Sequence, residues 1–439
     1  MASTVTLPEK GRSRDEILDA MRAMRSGDAD WRRGRTFSLV YYAGDDVLAL
    51  LHDAFFLFFS ENALNPLAFP SLRRFETEVV SMVAGLLGAP DAVGSLTSGG
   101  TESILMAVKT ARDRARAERP GRLRAQMVLP VTAHPAFIKA AHYFDVEPVV
   151  IPVGPDFRAD VDAAEKALTD DTVLVVGSAP SYPQGVVDPI PELAALAAAR
   201  GIPCHVDACL GGMLLPFARK LGHPIPEFDF RVPGVTSMSC DLHKYGYAAK
   251  GASTVLYRTR ELRRHQFVVY ADWPGGLYGS PTAAGTRPGG PIAAAWAVMN
   301  YLGEEGYLRL ARTTMDTARA LIDGVGRIDG LRVLGRPDIS VFAFGSERVD
   351  VYALGDEMAA RGWHLDRQQR PPSLHLMITP AHAGAVEPIL ADLRASVERT
   401  ASGVAAAGSA AMYGMLGSLP DRSAAASFVL EFMDSLDRT

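Results

Sequence analysis

Residues Thr172–Asp207, TVLVVGSAPSYPQGVVDPIPELAALAAARGIPCHVD, decide the fold. An aliphatic, β-branched run over Thr172–Gly177 reads as a buried strand. A Pro- and Gly-rich turn follows, then a helical pattern over Pro191–Arg200 and a second short apolar strand over Pro203–Asp207. A strand, a helix and another apolar strand in this order argue for parallel pairing with helices on both faces of the sheet.

The same alternation extends outward. Upstream lie helix Glu102–Ala117, strand Gln126–Val131, helix Pro135–Tyr143, strand Pro148–Val153 and helix Asp160–Leu168. Downstream, Val235–Tyr257, VTSMSCDLHKYGYAAKGASTVLY, reads as a strand, a polar turn presenting Lys244, and a second strand over Ala252–Tyr257. The fold class is therefore α/β, a large domain with a mostly parallel sheet. Trp273–Pro291 is too rich in Gly and Pro for regular structure, and a long helix follows over Ile292–Ile328. Beyond it a smaller C-terminal α/β domain has strands at Leu331–Leu334, Ser340–Phe344 and Leu374–Ile378, a helix at Val351–Arg361, an Ala-rich linker at Ala401–Ala411 and a terminal helix at Ala424–Leu436. Ahead of the large domain, helices are expected at Arg14–Arg25, Asp45–Phe59 and Ser71–Leu87, with Ser38–Gly44 a turn or strand and Gly94–Thr101 a break. The division expected is a flanking segment 1–70, a large domain 71–304 and a small domain 305–439.

Composition narrows the function. At 439 residues, two subdomains are the default, and 48% apolar with 22% charged residues suits a globular enzyme. A net charge of -5 supplies no basic footprint for nucleic acid. Cys204, Cys209 and Cys240 lack the spacing of a disulfide scaffold or a zinc site, so no metal is expected and the thiols read as buried hydrophobes of a cytoplasmic protein. Neither a signal peptide nor an apolar run of about 20 residues is visible, so no membrane-spanning segment is expected.

Four features carry chemistry. Thr97–Ser103, TSGGTES, is a Gly-rich turn opening a helix; alone it is an ordinary turn or a phosphate cradle. His134 follows a strand, where it serves either as a structural hydrogen-bonder or as a ring stacked on a flat ligand, whereas His142 reads as structural. Asp207 closes a strand, as one half of a salt bridge, as a helix cap, or as partner to a protonated ring nitrogen. Lys244, after His243, is a lysine between apolar strands, where burial favours the neutral, nucleophilic amine. Taken together they meet the needs of pyridoxal 5'-phosphate: a lysine for the Schiff base, a carboxylate for the pyridinium, a stacking ring and a phosphate turn.

With these residues in view, S-G-G-T-E-S, H-V-D-A-C, D-L-H-K-Y-G-Y-A-x-K-G and G-S-P-T-x-x-G-x-R-P-G resemble the sphingosine-1-phosphate lyase family, within the group II pyridoxal-phosphate decarboxylases. The resemblance runs from about Tyr41 to His375. It implies the type I, aspartate-aminotransferase-like fold, a homodimer with shared active sites, and retro-aldol cleavage of a small phosphorylated amino alcohol to an aldehyde and phosphoethanolamine. By motif, Gly100 and Thr101 would hold the cofactor phosphate, His134 would stack, Asp207 would pair with the ring nitrogen beside Ala208, and Lys244 would bind the cofactor next to His243. Gly279 and Ser280 would reach the partner's cofactor. Lys250, Tyr41 or Tyr42, and Asn65 would face the substrate, although Lys250 also reads as a solvated charge. Amino-acid decarboxylases of the wider group usually read N-P-H-K-W where this chain has Asp241-Leu242-His243-Lys244-Tyr245, which favours the lyase branch. The alternatives are an amino-acid decarboxylase, or an aldolase or transferase acting on a β-hydroxy amino acid. One departure bears on substrate: the family's N-P-L-H-x-D becomes Asn65-Pro66-Leu67-Ala68-Phe69-Pro70, removing an imidazole expected to hold phosphate. Another is Arg370, either a surface charge or a contact for an anionic substrate.

Overall fold

The computed structural model describes residues 5–121, 124–403, 410, 413–414 and 422–436. At its centre a seven-stranded sheet runs in the order β1-β7-β6-β5-β4-β2-β3. The strands are β1 (Val93–Thr97), β2 (Gln126–Pro130), β3 (Glu147–Ile151), β4 (Thr172–Ser178), β5 (Cys204–Asp207), β6 (Val235–Cys240) and β7 (Ser253–Tyr257). Pairing is parallel from β3 through β2, β4 and β5 to β6; β7 alone is reversed, antiparallel to both β6 and β1. All strands but β7 therefore finish at one edge of the sheet. Successive residues of β2 and β4 feed opposite cores: Met127, Leu129, Leu174 and Val176 pack with helix Gly100–Glu118, while Val128 and Val175 pack with helix Ile190–Ala199. This period-two division is what a sheet covered on both faces requires.

Beyond this sheet, β8 (Val268–Tyr270) and β9 (Tyr278–Ser280) form an antiparallel hairpin. A four-stranded antiparallel sheet follows in the order β10-β11-β13-β12, from β10 (Leu331–Val333), β11 (Val341–Ser346), β12 (Asp366–Gln369) and β13 (Pro372–Met377). Helices Val351–Ala360 and Val386–Ala401 pack on it in a second core. Helix Gly289–Gly326 serves both cores, Ile292–Leu302 the first and Ala318–Val325 the second, and its helical geometry breaks at Gly303 with φ 54°. The N-terminal flank joins the second core through Phe37, which is fully buried and stacked on His382 at 4.3 Å. Its backbone is stitched in by Phe37 N–H on His364 O (3.1 Å) and Met377 N–H on Phe37 O (2.9 Å). Among the described residues no helix is long and apolar enough to cross a membrane.

Several local expectations are corrected. Gly94–Thr97, read as a break, belongs to β1: a Cβ at Gly94 would lie 2.4 Å from Val255 O, so glycine marks close strand approach there. The supposedly irregular Trp273–Pro291 contains β9. Helices Leu215–Lys220, Arg260–Arg264 and Val386–Ala401, together with β12, were not foreseen; β12, Asp-Arg-Gln-Gln, has no apolar residue to announce it. Most of the expected Ala401–Ala411 linker lies outside the described residues; Ala401 itself ends a helix.

Candidate active site

The shared edge of the parallel strands opens on a cavity of about 540 Å³, whose walls include Ser98–Glu102 after β1, His134 after β2, Ser178 of β4, Asp207 of β5 and Asp241–Lys244 after β6. Carboxyl ends of strands are where an open α/β sheet collects ligand-binding groups. The small domain closes one side with Asp366 and Met377, and the N-terminal flank adds Ser38 and Tyr41.

The Gly-rich turn forms the first turn of helix Gly100–Glu118, so its unpaired N–H groups and the positive end of the helix dipole meet at the cavity. Gly100 has no room for a side chain: a Cβ would sit 2.8 Å from both Asp241 Oδ2 and Cys209 Sγ. Beneath the turn, Ser103 Oγ shares hydrogen bonds with Thr97 Oγ1 (2.6 Å) and Ser253 Oγ (2.8 Å), tying the helix start to β1 and β7. Buried Glu102 accepts Ser98 N–H at 2.6 Å and the N–H groups of Ala283 and Ala284 at 2.9 and 3.3 Å.

Lys244 departs from the sequence reading. Burial does act to lower its pKa, but Asp241, three residues earlier, places Oδ2 2.9 Å from Nζ, and the net result is a raised pKa. Without cofactor, Lys244 is therefore an ammonium paired with a carboxylate, not a free amine. Asp241 answers in kind: burial opposes its charge, yet Lys244 and His243 bring its pKa below the usual value. Asp241 Oδ1 is buried with no hydrogen-bond partner among the described residues. His243 accepts Ala252 N–H on Nδ1 (3.2 Å), which leaves its proton on Nε2, 3.7 Å from Asp241 Oδ2; burial lowers its pKa.

Asp207 holds its Oδ1 against Cys209 N–H (3.0 Å) and Ser239 Oγ–H (3.1 Å). His134 accepts Ala136 N–H on Nδ1 (3.1 Å), which fixes the ring at the cavity wall with its proton on Nε2. Tyr41 packs edge-on against Tyr245 at 5.0 Å and donates its hydroxyl to Met377 Sδ (2.5 Å). Lys250 lies over the Tyr41 ring at 5.1 Å with Nζ donating to His243 O (3.3 Å). Burial of its stem and the nearby Lys244 charge pull its pKa down to about 8. Tyr182 donates to Asp366 Oδ2 (2.8 Å), and Ser38 donates to Oδ1 (3.2 Å). Burial, then the Asp366 charge, keep the Tyr182 phenol protonated far above neutral pH.

Gly100, Thr101, His134, Asp207, His243, Lys244, Tyr41 and Lys250 thus line one cavity. Other expected site residues lie elsewhere in this chain. Ala208 is buried behind Asp207 with its N–H on Ser239 O (3.0 Å). Tyr42 turns to Trp31, edge-on at 5.5 Å. Asn65 is exposed on the loop before helix Pro70–Leu86, its Oδ1 accepting Leu67 N–H (2.9 Å), and Ala68 is exposed beside it. Gly279 is exposed on the β8–β9 hairpin and Ser280 is tucked under it, donating to Thr282 O (3.1 Å). Arg370 stands exposed at the β12–β13 turn, outside the cavity, and His142 is exposed on its helix. Sequence reasoning missed Asp241, Glu102, Tyr182 and Asp366. Asp241 had a signal in its i, i+3 spacing from Lys244, whereas Asp366 on a wholly polar strand had none.

The described groups fit pyridoxal phosphate: a dipole-backed cradle in which only glycine fits at residue 100, a lysine paired with the carboxylate that borders that cradle, a second carboxylate with one oxygen fixed, and a histidine ring at the cavity wall. The fold and this donor set define the class, a pyridoxal-phosphate-dependent enzyme of the type I fold. Residues 2–344 match the pyridoxal-dependent decarboxylase conserved domain. The chain is 46% identical to sphingosine-1-phosphate lyase of Arabidopsis thaliana over 98% of its length and 81% of that protein. The structure of Burkholderia pseudomallei sphingosine-1-phosphate lyase superposes with a TM-score of 0.90 at 40% identity, covering 98% of this chain and 97% of that one. L-aspartate decarboxylase of Thermococcus kodakarensis is 33% identical, over 89% of this chain and 99% of that protein. The chain belongs to the pyridoxal-dependent decarboxylase family and, within it, to the sphingosine-1-phosphate lyase family; it is a pyridoxal-phosphate-dependent lyase.

Proposed function

We propose that this chain cleaves the Cα–Cβ bond of a phosphorylated amino alcohol of the sphingoid phosphate type, giving an aldehyde and phosphoethanolamine. The observation that carries the reading is the charge set of the cavity. Among the described residues its lysines are Lys244 and Lys250, no guanidinium lines it, and Glu102, Asp207, Asp241 and Asp366 are its carboxylates. An amino-acid substrate would bring an α-carboxylate with no arginine to receive it. A substrate with an amine at the reacting carbon and a remote phosphate needs only one cation away from the chemistry, and Lys250 fills that place.

Bound pyridoxal phosphate supplies an electron sink conjugated to the substrate nitrogen. Gly100 and Thr101 would hold its phosphate at the helix start, and Asp207 would keep a proton on the pyridine nitrogen. His134 would lie against the ring. Lys244 would hold the cofactor; once freed as the neutral amine beside Asp241, it would be placed to take up the proton of the substrate β-hydroxyl and, as an ammonium, return one to Cα. His243 and His134 both carry their protons on Nε2, so each donates toward the cavity. Lys250, with Tyr41 under its ammonium, takes the substrate phosphate.

The active form is a homodimer with shared sites, supported by the exposed apolar surface of the β8–β9 hairpin, including Val269, Trp273 and Leu277, and of Phe56, Leu57 and Phe59. Gly279 and Ser280, with Tyr42 and Asn65, would act at the partner's cofactor or substrate. The three buried free thiols support a cytoplasmic location. A division near residue 304 draws support from the two cores and the break at Gly303, although Tyr307–Met315 still pack in the first core; the flank 1–70 has no core of its own, with Val47 and Leu51 in the first and Phe37 in the second. The test is product analysis of purified holoenzyme with a sphingoid phosphate and with panels of amino acids and β-hydroxy amino acids. Fatty aldehyde with phosphoethanolamine is the expected outcome; carbon dioxide release from an amino acid, with no aldehyde from the sphingoid phosphate, would replace the lyase reading by a decarboxylase one.

A further inference from the structure

β12 brings the small domain to the cavity with a carboxylate forward and an arginine behind. Successive side chains of a strand face opposite ways. Asp366 lines the cavity, whereas Arg367 turns to helix Val351–Ala360, where its Nη2 donates to Asp356 Oδ1 (2.6 Å). Gln368, on the same side as Asp366, donates from Nε2 to Pro183 O (3.0 Å) and so seats the strand on the loop after β4. Register alone decides that this wall is anionic, since a slip of one residue would present the guanidinium instead.

The four carboxylates of the cavity differ in what holds them. Asp241 is paired with Lys244, Glu102 accepts three backbone N–H groups, and Asp207 is assigned to the pyridine nitrogen. Asp366 is held by hydroxyls, Tyr182 on Oδ2 and Ser38 on Oδ1, and among the described residues no lysine, arginine or histidine lies within ion-pair distance of it. Its cross-strand neighbour His375 supplies no cation: burial draws that imidazole's pKa down to about 4, and its Nε2–H donates to Tyr182 O (2.9 Å). Each Asp366 oxygen keeps a second lone pair for a ligand. Position matters as much as charge. Tyr182, which Asp366 holds, is near enough to Lys244 for the lysine charge to act on its phenol, so Asp366 belongs to the amine end of the cavity. A ligand whose amine is bound there turns the other substituents of the same carbon toward a carboxylate without a counter-ion, and an α-carboxylate meets a like charge.

We propose that Asp366 is a specificity-determining residue that rejects an α-carboxylate, so that the cavity takes amino alcohols in preference to the corresponding amino acids. The assignment deepens the function proposed above and rests on it.

The experiment titrates full-length holoenzyme, followed by the absorbance of the bound cofactor, with a matched pair of ligands: phosphoethanolamine, and O-phosphoserine, the same molecule carrying an α-carboxylate. Wild type, Asp366→Asn, Asp366→Ser and Asp366→Glu are compared, and the wild type is also assayed for cleavage of a sphingoid phosphate. Wild type should bind phosphoethanolamine at least about tenfold more tightly than O-phosphoserine, the scale of a like-charge encounter. Asp366→Asn, which keeps the shape without the charge, should bring the two within about twofold, chiefly by tightening O-phosphoserine. Asp366→Ser repeats that test should the asparagine variant not fold, and Asp366→Glu, which restores the charge, should restore the preference. A residue that only pinned the N-terminal flank, the loop after β4 and the small domain together would weaken both ligands alike. A ratio in the uncharged variants equal to that of wild type, a glutamate variant that behaves as they do, or a wild type that binds both ligands within about twofold overturns the assignment. If wild type nonetheless cleaves the sphingoid phosphate, the function reading stands and this assignment alone falls; a wild type that does not cleave it overturns both.

Discussion

The strand-end cavity and the outlying loops at residues 60–69 and 268–284 both carry motif residues, yet the structure treats them in opposite ways. In the cavity, each group is oriented by buried partners from its own chain: Lys244 by Asp241, Asp207 by Ser239 and Cys209, His134 by Ala136. On the loops, Asn65, Ala68 and Gly279 face solvent, and a Cβ at Gly279 would meet nothing within 4 Å. A glycine with open space around it has no reason within this chain to be glycine. Under the proposed homodimer, one fold supplies the chemistry and a second copy supplies the closure.

Substitutions on the two sides should separate them. Largest is Lys244→Ala, which should abolish lyase turnover and the near-visible absorbance of the bound cofactor; a retained band would remove Lys244 from its assigned role. Next, Asp207→Ala should lower kcat by about two to four orders of magnitude, the scale of a lost proton-holding catalytic group, at near-unchanged dimer strength. A result within about tenfold of wild type would leave the ring nitrogen without its assigned partner.

Asp241→Asn tests the ion pair that the sequence concealed. With the carboxylate gone, burial is opposed chiefly by the more distant Asp207 and the Lys244 pKa falls, so attachment of pyridoxal phosphate should become faster at neutral pH and its pH profile should move to lower pH. An unchanged profile would contradict the pairing. On the loop side, Ala68→His should restore a phosphate donor and lower KM for a phosphorylated substrate by about tenfold, the worth of one charge-assisted hydrogen bond. A smaller effect is expected from pH. Lys250 has its pKa drawn down to about 8, so the free enzyme carries the cation below that pH and loses it above. Accordingly kcat/KM for phosphorylated substrates should decline as pH rises through about 8, while Lys250→Met should start low and lack that decline.

Much of this was legible in the sequence because burial writes itself in apolar runs. β4, buried at every position, is a continuous aliphatic stretch, and its helix and strand neighbours follow the same rule. The residues that line the cavity at turns after such strands inherit that legibility, as Asp207 and Lys244 do. What stayed hidden is what two distant segments make together. Asp366 meets Ser38 and Tyr182 across three parts of the chain, and Glu102 answers amides 181 and 182 residues away. β1 was hidden by a glycine whose purpose is close strand contact. The lysine was misjudged because its counter-ion sits one turn before it on a loop rather than on a patterned element.

The division between cavity and loops is tested most directly by subunit complementation. Lys244→Ala lacks the amine in its own cavity, and Gly279→Leu should obstruct only the cavity of its partner; each alone should be inactive. In a hybrid dimer one site has an intact Lys244 and receives an intact hairpin. If the two variants exchange freely, half of the dimers are hybrids with one good site in two, and activity should return to about a quarter of wild type. Failure to regain any activity, with hybrid dimers demonstrated in the mixture, would contradict shared sites and confine the chemistry to a single chain.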